Sequence, residues 1–392
     1  MADKKAIFGA AALMATSAVG PGFLTQTAKF TETLMASFAF IILASVIIDI
    51  GVQLNVWRVI AVSRLKAQEL AERVFPGVGY LLAALIVMGG LAFNIGNIAG
   101  AGLGVSSVFP SIDPIIGSII SAGVAIAVFA SKDAGSHMDK FAQFMGAVMI
   151  LIIAYTVFEA NPPLADAAIE AVAPQKFDAI ALVTLVGGTV GGYITFSGAH
   201  RLLDAGISGV ENLGHVTKSS ITGILVASFI RIFLFLAVLG VVATGVKLDP
   251  ANVALTPFSH ILGDFGRIMF GLVIWAASVT SVVGAAYTSV SFMTGFSQSI
   301  KRHQNLIIIA FIVFSTLIFS TVGKPVQVLV LVGTLNGLIL PIALVVILLA
   351  AYRKDIVGTY RHPVWIAGFG WLIAAAMSYL SYITIVKYLS SF

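Results

Sequence analysis

Two glycine-rich stretches interrupt otherwise apolar segments of this chain. The first, residues 19–23, reads Val-Gly-Pro-Gly-Phe, and the second, residues 187–193, reads Gly-Gly-Thr-Val-Gly-Gly-Tyr. Proline lacks the N–H of a helical hydrogen bond and clashes with the preceding turn, and glycine lacks the side chain that favours helical backbone angles. We therefore predict that a helix is broken at each stretch.

Broken helix ends can bind a small ligand directly. The half that starts at a break presents free N–H groups, which suit an anion, and the half that ends there presents carbonyls, which suit a cation. We expect the second halves to begin after Phe23 and Gly192, and the first halves to end before Gly20 and Gly188. The predicted binding site comprises Gly20, Pro21, Gly22, Phe23, Gly188, Thr189, Gly191, Gly192, Tyr193, Asn94 and Asn97.

Small and polar residues also occur together in the apolar segment 76–108. Asn94 and Asn97 either line the site or form interhelical hydrogen bonds, and the residues alone leave both interpretations open. Small residues spaced by four are typical of close helix packing. We assign that role to Gly96, Gly100, Gly102 and Gly104.

Charged residues within apolar segments are candidates for coupling transport to an ion. Asp49 lies about a dozen residues into its segment and is the best candidate for a buried, titratable carboxylate, although a structural partnership with Arg231 fits equally well. Glu32 is the second candidate. It lies three residues from Lys29 on one helical face, where a local ion pair near the outer interface is the simpler expectation.

Several other kinds of chemistry are excluded. The chain has no cysteine, which rules out disulfides, thiolate metal sites and cysteine nucleophiles. It has no G-x-x-x-x-G-K-[ST] phosphate loop, no H-E-x-x-H and no G-x-S-x-G. We expect no ATP-driven machinery, no enzyme activity, no cofactor and no resident metal.

The elements that position these residues must lie in a lipid bilayer. The chain is 59% hydrophobic and 10% charged, against about 25% charged in soluble proteins, and its apolar runs are roughly 20 residues long, enough to cross a membrane. The net charge of +5 therefore reflects basic loops, not binding of nucleic acid. We predict an all-α polytopic membrane protein with eleven transmembrane helices, near residues 6–36, 38–62, 76–108, 112–130, 140–158, 178–205, 218–244, 260–297, 305–322, 326–351 and 364–390.

Lys and Arg concentrate in the loops on one side, which predicts a cytoplasmic N-terminus and an external C-terminus. Five helices precede the second half, so that half enters the membrane upside down, as in an inverted repeat. We divide the chain into a first repeat (1–160), an extracellular loop (161–177), a second repeat (178–351), and a cytoplasmic loop with the eleventh helix (352–392).

The two interrupted segments resemble those of the Nramp (natural resistance-associated macrophage protein) family. That family carries D-P-G-N in its first helix, where this chain reads Gly20-Pro21-Gly22-Phe23, and A-x-x-M-P-H in its sixth, where this chain has residues 187–193. The resemblance implies a LeuT-type fold, with two inverted five-helix repeats, one extra helix, and helices 1 and 6 broken. It also implies a secondary transporter that works by alternating access in a bacterial-type inner membrane.

The departures from the family concern its ligands. The Asp, Asn, Met and His of the two family motifs are replaced here by Gly20, Phe23, Gly191 and Tyr193. A transition metal requires carboxylate, imidazole or thioether donors. We therefore expect the glycines at 20, 188, 191 and 192 to open space for a small organic solute.

Residues 94–100 and 284–288 resemble an Nramp-like branch often encoded beside 5-oxoprolinase subunits, which implies 5-oxoproline or a related carboxylate as substrate, with H⁺ or Na⁺ as candidate coupling ions. The alternative is a divalent cation transporter with altered ligands. A channel or a non-transporting receptor is a third class.

Overall fold

The computed structural model describes residues 19–294 and 297–390, except for the side chains of residues 132–136 and 139. The described residues form helices joined by short loops and contain no strand. The half-helix predicted over residues 6–18 lies outside them. In chain order the helices are α1 (Pro21–Leu34), α2 (Phe38–Ser63), α3 (Ala67–Val74), α4 (Val78–Val108), α5 (Pro114–Ala130), α6 (Lys132–Ala160), α7 (Leu164–Glu170), α8 (Ala179–Val190), α9 (Ile194–Asp204), α10 (Leu213–Ala243), α11 (Thr256–Ser291), α12 (Gln298–Arg302), α13 (Gln304–Val322), α14 (Pro325–Ala350), α15 (Lys354–Val357) and α16 (Val364–Leu389).

Within these described ranges, nine helical stretches are long and apolar enough to cross a membrane. One of them, Pro21–Ser63, joins α1 and α2 through the 3₁₀ turn Met35–Ser37, and another, Ala179–Asp204, joins α8 and α9. α5 is a shorter apolar helix. The helices follow the predicted segments in order, which confirms an all-helical membrane protein. That eleven of them cross the bilayer stays a prediction.

Both breaks lie a few residues away from the positions predicted. α1 begins at Pro21 directly after the extended Gly20, and not after Phe23, because proline is well suited to the first position of a helix, where no N–H is needed. α8 runs on through Gly188 to Val190, and α9 begins at Ile194. The prediction that the first half ends before Gly188 is therefore wrong by about one turn.

The interrupted pair α8 and α9 lies at the centre of the helix bundle. In the most apolar 18-residue stretch of this pair 94% of the residues are buried, whereas in the corresponding stretch of α13, at the periphery, 22% are buried. α8 packs closely along α14: a Cβ atom placed at Gly187 would lie 2.0 Å from the carbonyl oxygen of Gly333 and 2.3 Å from the nitrogen of Gly337. This glycine contact lets the two backbones approach and holds the second break in place.

Glycines of α4 bring three other helices close to it. A Cβ atom at Gly100 would lie 2.1 Å from the Pro21 side chain, and one at Gly102 would lie 2.2 Å from the carbonyl oxygen of Pro114. At Gly104 it would lie 2.7 Å from the Trp275 side chain. The packing role predicted for these glycines is confirmed, and through Gly100 the helix α4 supports the first break.

Candidate functional site

The first break can accept a Cβ atom at its extended residue. Among the described residues, the nearest atoms to a Cβ atom placed at Gly20 are Asn97 Oδ1, at 3.8 Å, and Ser281 Oγ, at 3.9 Å, both at ordinary van der Waals distance. At the start of α1, Leu24 N–H donates to the Gly20 carbonyl at 3.3 Å, while the N–H groups of Gly22 and Phe23 have no acceptor within the helix. The break thus combines a position that a methyl group could occupy with two N–H donors.

The second break has the backbone conformation that its glycines predict. Gly191 is extended, and Gly192 has a φ of +55°, the left-handed region that glycine enters without strain. Tyr193 then leads into α9. The carbonyl of Val190 accepts a hydrogen bond from the Thr195 hydroxyl, so one of the carbonyls at the end of α8 is already used inside the protein.

The expectation that Gly188, Gly191 and Gly192 open space is wrong. A Cβ atom at Gly188 would lie 2.6 Å from Gln26 Oε1, and one at Gly192 would lie 1.8 Å from Asn336 Oδ1. At Gly191 it would meet the Gly187 carbonyl oxygen at 2.4 Å. Neighbouring atoms fill the volume that the missing side chains leave, whereas a Cβ atom at Gly20 would make only ordinary contacts with the described residues.

Arg231 on α10 reaches both breaks. Its guanidinium carbon lies 4.1 Å from the centre of the Phe23 ring, a cation–π contact, and its Nη1 donates to Thr189 Oγ1 at 2.9 Å. The residue is buried, and within the described ranges 19–294 and 297–390 its Nε and Nη2 have no hydrogen-bond partner. Arg231 is therefore a buried cation at the junction of the broken helices, with two donor nitrogens that no described residue uses.

The sequence analysis considered Arg231 only as a partner for Asp49. An arginine in the interior of a membrane segment is costly enough to signal function by itself. The sequence contains that signal. It does not show where the side chain points, because this depends on how α10 packs against α1 and α8.

Asp49 on α2 is buried near Arg231, but the two do not form a salt bridge in the described part of the chain. The charge that acts on Asp49 is the guanidinium of Arg231, and Asp49 Oδ1 has no hydrogen-bond partner among residues 19–294 and 297–390. Gln53, one turn further along α2, is also buried, and neither its side-chain nitrogen nor its side-chain oxygen bonds to a residue in those ranges. Buried polar atoms are rarely left unsatisfied, so this cluster is suited to a polar ligand.

The two asparagines of α4 have different surroundings. Asn97 is buried beside Gly20, and no described residue forms a hydrogen bond with its Nδ2. Asn94 donates from Nδ2 to Ser315 on α13 at 3.0 Å, which is the interhelical bond of the alternative interpretation. Tyr193 packs edge-to-face on Phe93, with ring centres 5.5 Å apart. Asn97 therefore faces the first break, while Asn94 links helices.

Glu32 lies near the far end of α1 from the first break. It pairs with Lys29 at 3.1 Å, as the sequence predicted, and its Oε1 accepts a hydrogen bond from the N–H of Leu248 at 3.0 Å. The structure does not bring Glu32 to Arg231, so a coupling role for it gains no support from these contacts.

Comparison with known families identifies the architecture. Residues 11–387 match the family model described as natural resistance-associated macrophage protein-like. The chain belongs to the Nramp family. A Haemophilus influenzae protein named "Uncharacterized membrane protein" is 60% identical over 389 residues, which is 99% of this chain and 98% of that protein. The family makes this chain a multi-pass membrane transporter and not an enzyme.

Solved structures of transporters share the fold of this Nramp-family chain. A mutant of the Eremococcus coleocola manganese transporter superposes with a TM-score of 0.72 at 14% identity, covering 97% of this chain and 86% of that chain. MhsT in complex with L-phenylalanine gives a TM-score of 0.68 at 16% identity, covering 100% and 99%. The LeuT-type fold inferred from the resemblance is confirmed.

The donor set at the breaks differs from what an Nramp metal site requires. Among the residues that the structure describes, no three His, Asp or Glu side chains come together in a way that could hold a metal ion. Instead, the breaks are bordered by Phe23, Tyr193, Thr189 and the positively charged Arg231. A divalent cation would be repelled by this guanidinium, whereas a carboxylate would pair with it.

Proposed function

We propose that this Nramp-family protein is a secondary active transporter of a small organic anion with the size and chemistry of 5-oxoproline. The carboxylate would bind Arg231 between the two breaks and accept hydrogen bonds from the first N–H groups of α1. The transporter would lie in a bacterial inner membrane with its N-terminus in the cytoplasm, the orientation that the basic loops favour.

The observation that carries this proposal is the buried guanidinium of Arg231, which contacts both breaks and has two nitrogens that no described residue bonds. Burial of an unpaired ion costs several kcal/mol, and Asp49 offsets this charge without bonding to it. A planar guanidinium is well suited to a carboxylate, which it can bind through two parallel hydrogen bonds.

The rest of the site supports a small organic molecule. The space at Gly20 is bordered by Asn97 and Ser281, which offer polar groups at one end. The buried rings of Phe23 and Tyr193 offer apolar faces. A ligand with a carboxylate, one amide group and a compact apolar body matches this combination better than a bare ion does.

Transport requires that the buried site open to each side in turn. Phe23, Thr189 and Tyr193 are each no more than 3% exposed. Because Arg231 joins α10 to α1 and α8, these helices are suited to move together, with α2, as one body. Rocking of such a body against the rest would give alternating access.

Uptake of labelled 5-oxoproline into proteoliposomes tests the proposal. We expect uptake by the wild type, and a loss of at least about tenfold in Arg231→Met, because the carboxylate loses a charge-assisted hydrogen-bond partner. Arg231→Lys should restore only part of the activity, since lysine cannot form the two parallel bonds. Arg64→Gln, which removes an arginine from an exposed ion pair with Glu211, should behave as wild type. Absence of wild-type uptake, or full uptake by Arg231→Met, would overturn the proposal.

A divalent metal ion is the second candidate substrate, because solved manganese transporters share the fold. Calorimetric titration with Mn²⁺ separates the two candidates. Binding that is abolished by Thr189→Val or Tyr193→Phe would favour the metal and count against the organic anion. We expect no such binding, since the donors present are hydroxyls and backbone carbonyls and Arg231 carries a like charge.

A further inference from the structure

Asp49 and Arg231 are buried opposite charges on the packed helices α2 and α10, and they form no salt bridge in the part of the chain that the structure describes. Asp49 Oδ1 and the Nε and Nη2 atoms of Arg231 are buried and have no partner among the described residues. Arg231 uses its remaining nitrogen, Nη1, on Thr189. The free atoms of Arg231 can therefore receive a carboxylate while Asp49 is still present.

The charged groups on the elements around this pair lie towards helix ends. Of the helices packed on α2, α8 and α14 contain no acidic, basic or histidine residue. On α1 the charged residues are Lys29 and Glu32, which pair with each other. On α9, α10 and α16 the charged or histidine residues other than Arg231 lie within two turns of a helix end: His200, Arg201, Asp204, His215, Lys218 and Lys387. The same holds for the charged residues on α2 itself, on the short helices α3, α7 and α15 and on the 3₁₀ turn 210–212, which also contact α2: Arg58, Glu69, Glu72, Arg73, Asp166, Glu170, Glu211, Lys354 and Asp355. Among the described residues, Arg231 is the charged group that acts on Asp49.

A bound anion changes the charge of this site. Without substrate, the charges of the Asp49 carboxylate and the Arg231 guanidinium sum to zero. A monovalent substrate carboxylate adds a negative charge, and a buried net charge without compensation is unfavourable. Uptake of one proton returns the sum to zero, and the carboxylate of Asp49 is the buried group able to accept it.

We propose that Asp49 is the proton-coupling residue and that it is protonated when the substrate carboxylate takes its place as the counter-ion of Arg231. This inference rests on the proposed function. From the outer solution, one proton binds Asp49 as one carboxylate binds Arg231. On the inner side the carboxylate leaves, the proton is released to water, and Asp49 again balances Arg231. One proton therefore accompanies each monovalent anion, and the cycle moves no net charge.

The experiment uses the full-length protein in proteoliposomes with a pH-sensitive dye inside, labelled 5-oxoproline outside, and the membrane potential clamped by potassium and valinomycin. For the wild type we expect internal acidification with one proton per substrate, uptake that rises as the outer pH falls, and no change when the clamped potential is varied. L-Proline, a zwitterion, serves as the comparison because its entry would not alter the charge of the site.

Asp49→Asn should abolish the substrate-dependent proton flux and the pH dependence, while exchange of labelled for unlabelled 5-oxoproline continues. Asp49→Glu, which keeps a carboxylate, should retain proton flux. The matched control is Asp264→Asn, which removes an 86% exposed carboxylate and should leave both signals unchanged. A purely structural role of Asp49 would lower exchange and proton flux together.

The outcomes separate the two proposals. If the wild type takes up no 5-oxoproline, the proposed function is overturned and this inference with it, whether or not L-proline enters. If 5-oxoproline enters without protons, or in response to the membrane potential, this inference alone is overturned. Wild-type proton stoichiometry in Asp49→Asn would also overturn it. The wild-type stoichiometry decides the question even if Asp49→Asn does not fold.

Discussion

The glycines of the two breaks serve different purposes at the level of the single residue. A Cβ atom would fit at Gly20, since its nearest described neighbours would lie 3.8 and 3.9 Å away, at ordinary van der Waals distance. Gly192 has a φ of +55° and is covered by the Asn336 side chain. Asn336 cannot easily move away, because its Nδ2 donates to the carbonyls of Gly89 and Val332 at 3.1 and 2.9 Å. The fold therefore requires glycine at position 192 but would accept a methyl group at position 20.

This difference predicts opposite phenotypes for two alanine substitutions. Gly20→Ala should change the free energy of unfolding by no more than about 0.5 kcal/mol, yet it should weaken uptake, because its methyl group occupies substrate space. Gly192→Ala should destabilise the protein by about 1–3 kcal/mol through backbone strain, in addition to the clash with Asn336. Thermal unfolding of the purified variants, measured beside uptake, checks both. Equal losses of stability would contradict the assignment.

The loop before α16 joins three elements through a chain of polar contacts. His362 Nε2 contacts Asn55 Oδ1 on α2 at 2.9 Å, and its Nδ1 contacts the Tyr360 hydroxyl at 3.0 Å. Arg58, also on α2, donates to that hydroxyl at 3.3 Å and to Thr217 on α10 at 2.7 Å. Since the oxygen of Asn55 can only accept, His362 donates from Nε2, and in the neutral ring its Nδ1 accepts from the Tyr360 hydroxyl. A neutral histidine therefore satisfies every contact of the network.

Acid should weaken the contacts of His362 with Asn55 and Tyr360. Burial, helped by the charge of Arg58, lowers the pKa of His362 from 6.5 to about 4. The unfolded chain then binds more protons than the folded one between these values, so the contribution of His362 to stability is complete above about pH 6.5 and is lost as the pH falls towards 4. We expect the Tm of the wild type to fall over this window more steeply than that of His362→Gln. Identical pH slopes in the two proteins would contradict the role of the histidine.

The elements were more predictable from the sequence than the contacts between them. Pro21 and the glycine pair at 191–192 indicate breaks through local backbone chemistry, and the apolar runs indicate the helices by length. The residue at which each break begins was predicted wrongly, because Pro21 prefers the first position of a helix and because α14 stabilises α8 up to Val190. Such tertiary support has no local signature.

The site itself could be located from the sequence only in part. Gly20, Phe23 and Thr189 were correctly placed near the breaks, because they belong to the interrupted stretches. Arg231 and Asn336 come from distant helices, and their side chains fill the site only once α10 and α14 have packed. A single sequence does not show where either side chain points.

At the scale of the whole molecule, contacts between described residues join helices at both ends of the bundle. At the end predicted to face outwards, Glu32 accepts a hydrogen bond from the Leu248 N–H at 3.0 Å, and the Ser37 hydroxyl donates to Glu170. We call this pair of contacts the outer latch. Each joins α1 or the turn after it to an external loop, so the outer latch must separate before α1 can move away from the site.

At the opposite end, contacts join α9 to the start of α3. His200 Nε2 accepts a hydrogen bond from the N–H of Ala67 at 3.1 Å, and Lys66 lies 3.6 Å from Asp204. We call these contacts the inner latch. Because α9 continues directly from the second break, opening of the inner latch would expose the site to the side predicted to be cytoplasmic.

Alternating access predicts that weakening either latch exposes the site on one side at the expense of the other. The chain has no cysteine, so Gly20→Cys, at a position with space for a side chain, provides a single reporter for a membrane-impermeant thiol reagent. In the Gly20→Cys background, Glu32→Gln removes a charged hydrogen-bond acceptor whose bond contributes about 1.5–3 kcal/mol to the closed state, and it should raise the rate of labelling from outside by roughly tenfold or more. In the same background, Asp204→Asn breaks a partly exposed ion pair that contributes at most about 1 kcal/mol, and it should raise the rate of labelling from inside by up to about fivefold.

The sign of the change on the other side distinguishes a transporter from a channel. In a two-state cycle, a variant that populates the outward-open state depletes the inward-open one, so Glu32→Gln should slow labelling from inside, and Asp204→Asn should slow it from outside. Asp264→Asn in the same reporter background should alter neither rate, because that carboxylate is exposed and outside both latches. If one latch variant accelerated labelling from both sides at once, the site would be a continuous pore, and the rocking body formed by α1, α2, α8 and α10 would have to be abandoned.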